Sequence, residues 1–214
     1  MPELLPLFLN LTGRSVALVG AGPVATSKLR ALLDAGARVR VIAPDISDGI
    51  RACLPDEALF QRPFEPADLD GVWLAVAAAT PEVNRQVAEA GCARHIFVNA
   101  VDDPANASAF LGGVVRRDGV TLAISTSGAA PALTSLLREG LDALLPPDLA
   151  TWMRQARAAR AAWRRDGVPM DARKPKLLRA LNALYQEAAI PAVPSSSERG
   201  PSVPWLNAPE DSWL

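Results

Sequence analysis

Residues 14–45 read RSVALVGAGPVATSKLRALLDAGARVRVIAPD, and this stretch decides the fold. Arg14 to Val19 is a continuous apolar run ending directly in Gly20, the pattern of a central parallel strand covered on both faces. From Val24 to Ala35 the apolar residues Val24, Leu29, Leu32 and Leu33 fall near helical spacing, and Gly36 supplies a C-terminal stop. Arg38 to Ala43 alternates like a second strand and runs into Pro44-Asp45. Together these make a βαβ unit. In its turn, Gly20 permits the sharp bend, Gly22 lets backbone approach a pyrophosphate, and Ala25 keeps the helix close to the sheet. The helix N-terminus favours a bound phosphate through its amides and dipole, and Pro23 suits a first turn whose N–H has no partner. A glycine turn alone is also a common structural feature; the strand before it and the acid after the second strand argue for a bound dinucleotide. Asp45 stands 25 residues after Gly20, where a carboxylate accepts the adenosine ribose hydroxyls and repels a 2′-phosphate. That selects NAD, with Arg38 and Arg40 leaving NADP open as the alternative.

Outward from this unit the rhythm repeats. Val72–Ala78 reads as a strand, Pro81–Gly91 as a helix and Ile96–Val101 as a strand, while Leu4–Leu11 (LLPLFLNL) is a short strand candidate at the start. Strands alternating with helices imply an α/β, Rossmann-like doubly wound parallel sheet. After Asp102-Asp103-Pro104 the pattern changes: Phe110–Arg116 and Gly119–Ser125 read as two strands joined at Arg117-Asp118-Gly119, a hairpin signal. A helix from Pro131 to Leu145 is closed by Pro146-Pro147. Two amphipathic helices follow, one over Asp148–Asp166 with Leu149, Trp152, Met153, Ala156 and Trp163 on one face, one over Lys174–Ala189 with Leu177, Leu178, Leu181, Leu184 and Tyr185. The expected organisation is a dinucleotide-binding domain over 1–112, a dimerisation segment over 113–147, a small helical domain over 148–190 and a disordered or loosely docked tail over 191–214. Trp205 and Trp213 in that tail are candidates to clasp a partner subunit.

Composition narrows the function. The 214 residues are 50% apolar with a formal net charge of −1, which gives no reason to expect nucleic acid or an anionic membrane surface as partner. No secretory pattern or membrane-length apolar run occurs, so a cytoplasmic protein is expected. Cys53 and Cys92, 39 residues apart, read as small buried hydrophobes of a reduced compartment. No His/Cys/carboxylate spacing suggests a resident metal, and His95, the only histidine, reads as a surface or half-buried residue at a strand entrance. The arginines Arg116, Arg117, Arg138, Arg154, Arg157 and Arg160 read as solvated faces and are not assigned to a site.

A second constellation lies beyond the first motif. Asn99-Ala100-Val101-Asp102-Asp103-Pro104 sits at the carboxyl end of a strand, the edge that lines the ligand crevice of an open α/β sheet. Ser125-Thr126-Ser127-Gly128 follows another strand and precedes a helix, and its hydroxyls and amides suit ligand carboxylates. Asp102 is the candidate general base, Asp103 the better turn-capping residue ahead of Pro104, and Asn99 a loop-orienting residue that also stands at the expected substrate.

With these pieces in order the chain resembles the precorrin-2 dehydrogenase/sirohydrochlorin ferrochelatase family, the N-terminal module of siroheme synthases. The resemblance is carried by LPLFLNLTGRSVALVGAGPVATSKLRALLDAGARVRVIAPD, WLAVAAATPEVNRQV, FVNAVDDP and LAISTSGAAPALTSLLREGLDALLP, over about residues 3–165. It implies NAD-dependent oxidation of precorrin-2 to sirohydrochlorin, with Fe(II) insertion to siroheme in many members, by an interlocked homodimer. It also implies a catalytic role for Asp102, nucleotide contacts at Gly22, Pro23, Val24, Pro44 and Asp45, and a substrate loop at Ser125, Thr126 and Ser127. Gly112-Gly113 replaces a Pro-Ser pair of many relatives, the segment after Trp73 is about one residue shorter, and Thr126 stands where some members carry a phosphorylated serine. The methyltransferase domain of fused siroheme synthases has no counterpart within these 214 residues, so a separate enzyme is expected to supply precorrin-2. Two alternatives remain at this point: a dehydrogenase without chelatase activity, and a non-enzymatic NAD-sensing module.

Overall fold

In the computed structural model, which describes residues 4–188, the first half of the chain forms a five-stranded parallel sheet. Its strands are β1 (Ser15–Val19), β2 (Arg38–Ile42), the two-residue β3 (Leu59–Phe60), β4 (Leu74–Ala77) and β5 (Phe97–Ala100), in the order β3-β2-β1-β4-β5. Between them run α1 (Pro23–Asp34), the single turn α2 (Asp48–Arg51) and α3 (Pro81–Ala93). The alternation of side chains along β1 explains the double winding. Val16 and Leu18 enter a core completed by Ala25, Leu29 and Leu32 of α1 and by Val39 and Val41. Ala17 and Val19 enter a second core with Ala75, Ala77, Val87, Ala90 and Val98, beneath α3. Each fully buried Leu, Ile or Val contributes about 1.5–3 kcal/mol relative to exposure. Small residues let α3 sit close: a β-carbon on Gly91 would fall 2.4 Å from Val98 Cγ2.

Several expectations are corrected. The apolar run Leu4–Leu11 is no strand; Leu5 and Phe8 are exposed and only Leu11 is buried, since Pro6 has no N–H for a ladder. Val24 faces outward, leaving Ala25, Leu29 and Leu32 as the buried stripe of α1. Cys53 and Cys92 are exposed, because one lies in the turn after α2 and the other on the outer side of α3. Leu178 is exposed rather than facing a core, and the last helix starts four residues earlier than its apolar stripe suggests.

The segment between β2 and β4, unread from periodicity, is held by polar contacts. Arg62 forms two bonds to the Asp68 carboxylate, 2.9 and 2.5 Å long, and Asp68 in turn accepts the Glu65 N–H. Burial pushes the Asp68 carboxyl up, but these bonds outweigh it and hold the group below the usual carboxylate range. A depressed folded value stabilises the fold above the unfolded value and loses that contribution as pH falls through the folded one. Asp68→Asn is therefore expected to lower the thermal midpoint at pH 7, with the gap to wild type closing as pH falls below the ordinary carboxylate value. A gap that stays constant over that range would contradict the assignment.

Contact density divides the chain into two compact units. One holds the described residues up to Gly113 with Ser125–Thr134; the other holds Val114–Ile124 with the described residues from Ser135 to Ala188. The hairpin β6 (Gly113–Arg117) and β7 (Val120–Ile124) turns through Asp118 and Gly119, both at positive φ (51° and 83°), the conformation that an Asp-Gly pair adopts readily. Three helices follow: α4 (Pro131–Leu144), α5 (Leu149–Arg165) and α6 (Met170–Ala188). Arg117 donates to the Asp142 carboxylate and to the carbonyls of Asp142 and Leu145, tying the hairpin end to α4. The tail 191–214, with Trp205 and Trp213, and the side chain of Tyr185 lie outside the described residues.

Candidate active site

The strand order reverses direction between β1 and β4, which opens a crevice at their carboxyl ends. Gly20 lies there at φ 106°, buried, and a β-carbon on it would fall 2.2 Å from the Ala78 carbonyl oxygen. Backbone from the two strands therefore meets without a side chain between. Gly22 differs. It is the N-cap of α1 in extended conformation, and its β-carbon position opens on empty space. Pro23 occupies the first turn, no side chain caps the helix, and no acid stands in that turn. The unsatisfied amides and positive dipole end are thus left for an anion, and the residues present fit a dinucleotide pyrophosphate.

Pro44 and Asp45 are exposed just beyond the carboxyl end of β2, whose Ile42 pairs with Val19. Arg38 begins the same strand, about 13 Å away at the opposite edge. Arg40 donates to the carbonyls of Asp68 and Asp70, both at 3.1 Å, and its Nε is buried. Both arginines weighed for a 2′-phosphate are therefore occupied or misplaced. Arg51, which the sequence reading passed over, donates to the Ile46 carbonyl and to Gln61 and braces the segment after Asp45.

On the other side of β1, a cleft of about 580 Å3 is lined by Ala79, Asn84, Arg85, Asp102, Asp103 and Asn106, among others. Asp102 sits at φ 55°, a left-handed backbone that Asp tolerates better than most residues at a cost of about 1–3 kcal/mol. Its carboxylate is exposed and forms no hydrogen bond or ion pair among the described residues. Asp103, by contrast, accepts from Asn106 Nδ2 at 2.8 Å and closes the following turn. The turn-closing position expected of Asp103 is the one it occupies. Asn99 does not line this cleft. It is buried, and its Nδ2 donates to the Ala109 carbonyl, while Ser108 and Ala109 pair with Val98. That arrangement fastens the loop after Asp102 to the open edge of β5.

The Ser125–Gly128 loop is brought to the same region. A β-carbon on Gly128, at φ 78°, would fall 3.0 Å from Pro104 Cγ, so the loop abuts the Asp103-Pro104 turn. Ser125 accepts the Ser127 N–H, while the Thr126 hydroxyl lies 3.0 Å from that of Thr134 and accepts the Ala130 N–H. Thr126 thereby organises the start of α4. The sequence reading also missed Asn84 and Arg85. Arg85 bridges Glu82 and Glu89, and its hydrogen bond holds the Glu82 carboxyl below its usual range. His95, exposed, lines a separate cleft of about 640 Å3 at the amino ends of β4 and β5.

The family described as putative NAD(P)-binding matches residues 7–113. The chain is 43% identical over 160 residues to siroheme synthase 2 of Klebsiella pneumoniae subsp. pneumoniae, covering 73% of this chain and 35% of that protein. It is 43% identical over 150 residues to siroheme synthase 1 of Aeromonas hydrophila subsp. hydrophila, covering 69% and 32%. Among solved structures, SirC, a precorrin-2 dehydrogenase, superposes with a TM-score of 0.64 at 26% identity, over 82% of this chain and 88% of that one. The chain belongs to the putative NAD(P)-binding family, and it is similar to siroheme synthases and to a precorrin-2 dehydrogenase. It spans about a third of the length of the curated relatives it matches. The matched residues include the glycine turn, and the Asp102 cleft lies across β1 from Asp45.

Proposed function

We propose that this protein oxidises precorrin-2 to sirohydrochlorin with NAD and then inserts Fe(II) to give siroheme. The observation that carries the reading is the unpaired Asp102 carboxylate in a cleft at the carboxyl ends of β4 and β5, beside the dinucleotide turn. NAD, when bound, accepts a hydride. Pyrophosphate is held at Gly22, Pro23 and Val24, with Gly20 shaping the turn beneath it, and the adenosine ribose at Pro44 and Asp45. The acid at Asp45 and the engaged state of Arg40 favour NAD over NADP. Asp102 takes the proton that leaves with the single hydride, and the same carboxylate accepts pyrrole N–H protons as Fe(II), a substrate, enters the macrocycle. Ser125 and Ser127 hold substrate carboxylates, Thr126 sets the loop, and Asn99 fastens the loop that carries Asp102.

The protein acts as a homodimer in this reading, with residues 113–147 as its dimerisation segment and 148–190 as a small helical domain. The apolar stripe of α4 supports that assignment, since Leu133, Leu136, Leu137 and Leu144 are all exposed in the single chain. A cytoplasmic location accords with the unpaired Cys53 and Cys92. Among the described residues no helix is long and apolar enough to cross a membrane. The test is anaerobic incubation with precorrin-2 and NAD, following sirohydrochlorin absorbance and then adding Fe(II). Oxidation followed by accelerated iron insertion is expected. Oxidation alone would reduce the protein to a dehydrogenase, and no oxidation would leave an NAD-binding module.

A further inference from the structure

Asn84 is the most enclosed polar side chain of the molecule's described residues, 2% exposed, and it lies in the apolar stripe of α3 with Val87, Ala90 and Gly91. Its Oδ1 accepts the Ala79 N–H at 3.1 Å. Ala79 is the residue that follows the close approach of Ala78 to Gly20, so this bond fixes backbone at the crevice itself. It also fixes which way the carboxamide faces. Among the described residues, the sealed side-chain atoms without a partner are Arg40 Nε and Asn99 Oδ1. Asn84 Nδ2 is not one of them and forms no hydrogen bond with those residues, so it opens on the cleft that Asn84 lines. A buried amide whose acceptor is used and whose donors meet only a cleft calls for a ligand acceptor there.

The sheet order names the ligand. Asp45 follows β2 and Gly22 follows β1, which puts the adenosine ribose and the pyrophosphate over those two strands. The remaining half of the dinucleotide then crosses to β4, and Asn84 belongs to the helix that follows β4. We infer that Asn84 orients the nicotinamide half of the cofactor, its Nδ2 donating to an oxygen of the nicotinamide riboside while its Oδ1 holds Ala79. This rests on the dinucleotide reading of the glycine turn. A contact made only to this half discriminates NAD from a ligand that lacks it.

The test is calorimetric titration of the full chain with NAD and with ADP, without tetrapyrrole substrate, alongside thermal midpoints. Asn84→Asp keeps an oxygen for the Ala79 N–H but loses the donor. It is expected to weaken NAD binding about tenfold and leave ADP within about twofold. Asn84→Ser, too short to reach either group, is expected to lose the same preference and decides the matter where the Asp variant melts early. Equal losses for NAD and ADP, or unchanged NAD binding, would overturn the inference, as would the failure of both variants to fold. A wild-type chain that binds neither ligand would instead overturn the reading of the glycine turn, and Asn84's role with it.

Discussion

Gly20→Ala is expected to lower the thermal midpoint by about 10 °C, whereas Gly22→Asp leaves stability intact and abolishes cofactor binding. The first effect has two sources. Alanine at φ 106° is strained, and its β-carbon falls 2.2 Å from the Ala78 carbonyl oxygen, so backbone has to move. Strain of about 1–3 kcal/mol and overlap of similar size together reach about 3–5 kcal/mol. For a chain of this length each kcal/mol is worth about 2–4 °C. At Gly22 the β-carbon meets nothing within 4 Å, and aspartate is a favourable N-cap. Its carboxylate then sits where the pyrophosphate would, and NAD affinity should fall at least about 100-fold through lost space and like-charge repulsion. Thermal melts and NAD titrations of both variants separate the two roles. A Gly20→Ala chain with an unshifted midpoint would show that β1 and β4 do not approach as described.

Asp102→Asn is expected to cut precorrin-2 oxidation by about 10²–10⁴-fold while NAD affinity stays within about twofold. Asparagine tolerates the left-handed backbone at φ 55°, so the substitution removes the base and little else. The carboxylate has no protein partner among the described residues to be orphaned by the change. Iron insertion should fall with oxidation if one group takes both sets of protons. Survival of iron insertion in this variant would assign that step to another base, and lost NAD binding would remove Asp102 from the chemistry. The neighbouring Asp103→Asn should lower stability slightly, through its bond to Asn106, and keep turnover.

Much of the site was legible because its chemistry is written in backbone requirements. Gly20 and Gly22 announce themselves by residue type, and the turn-closing Asp103 is announced by the Asp-Pro pair. What could not be read was polar. Asn84 looks like any helix residue until it is seen in the stripe of Val87 and Ala90, where only a partner excuses its burial. Arg40 looked like a phosphate ligand until its guanidinium was found on the Asp68 and Asp70 carbonyls. The strand expected over Leu4–Leu11 failed for a similar reason: apolar content alone does not supply a pairing edge.

By itself the sequence determined the βαβ order, the glycine turn and its preference for a dinucleotide, because steric tolerance and side-chain period are local properties. The tertiary structure decided three further things. It set Gly20 against Ala78, so that the first glycine serves the packing of β1 on β4 while Gly22 remains for the ligand. It brought Gly128 onto Pro104, joining two motifs more than twenty residues apart. And it gave Arg40 and Asn99 their backbone partners, which removed one from cofactor choice and assigned the other to loop support. Each of these depends on which groups meet across the sheet, and no local pattern along the chain encodes that.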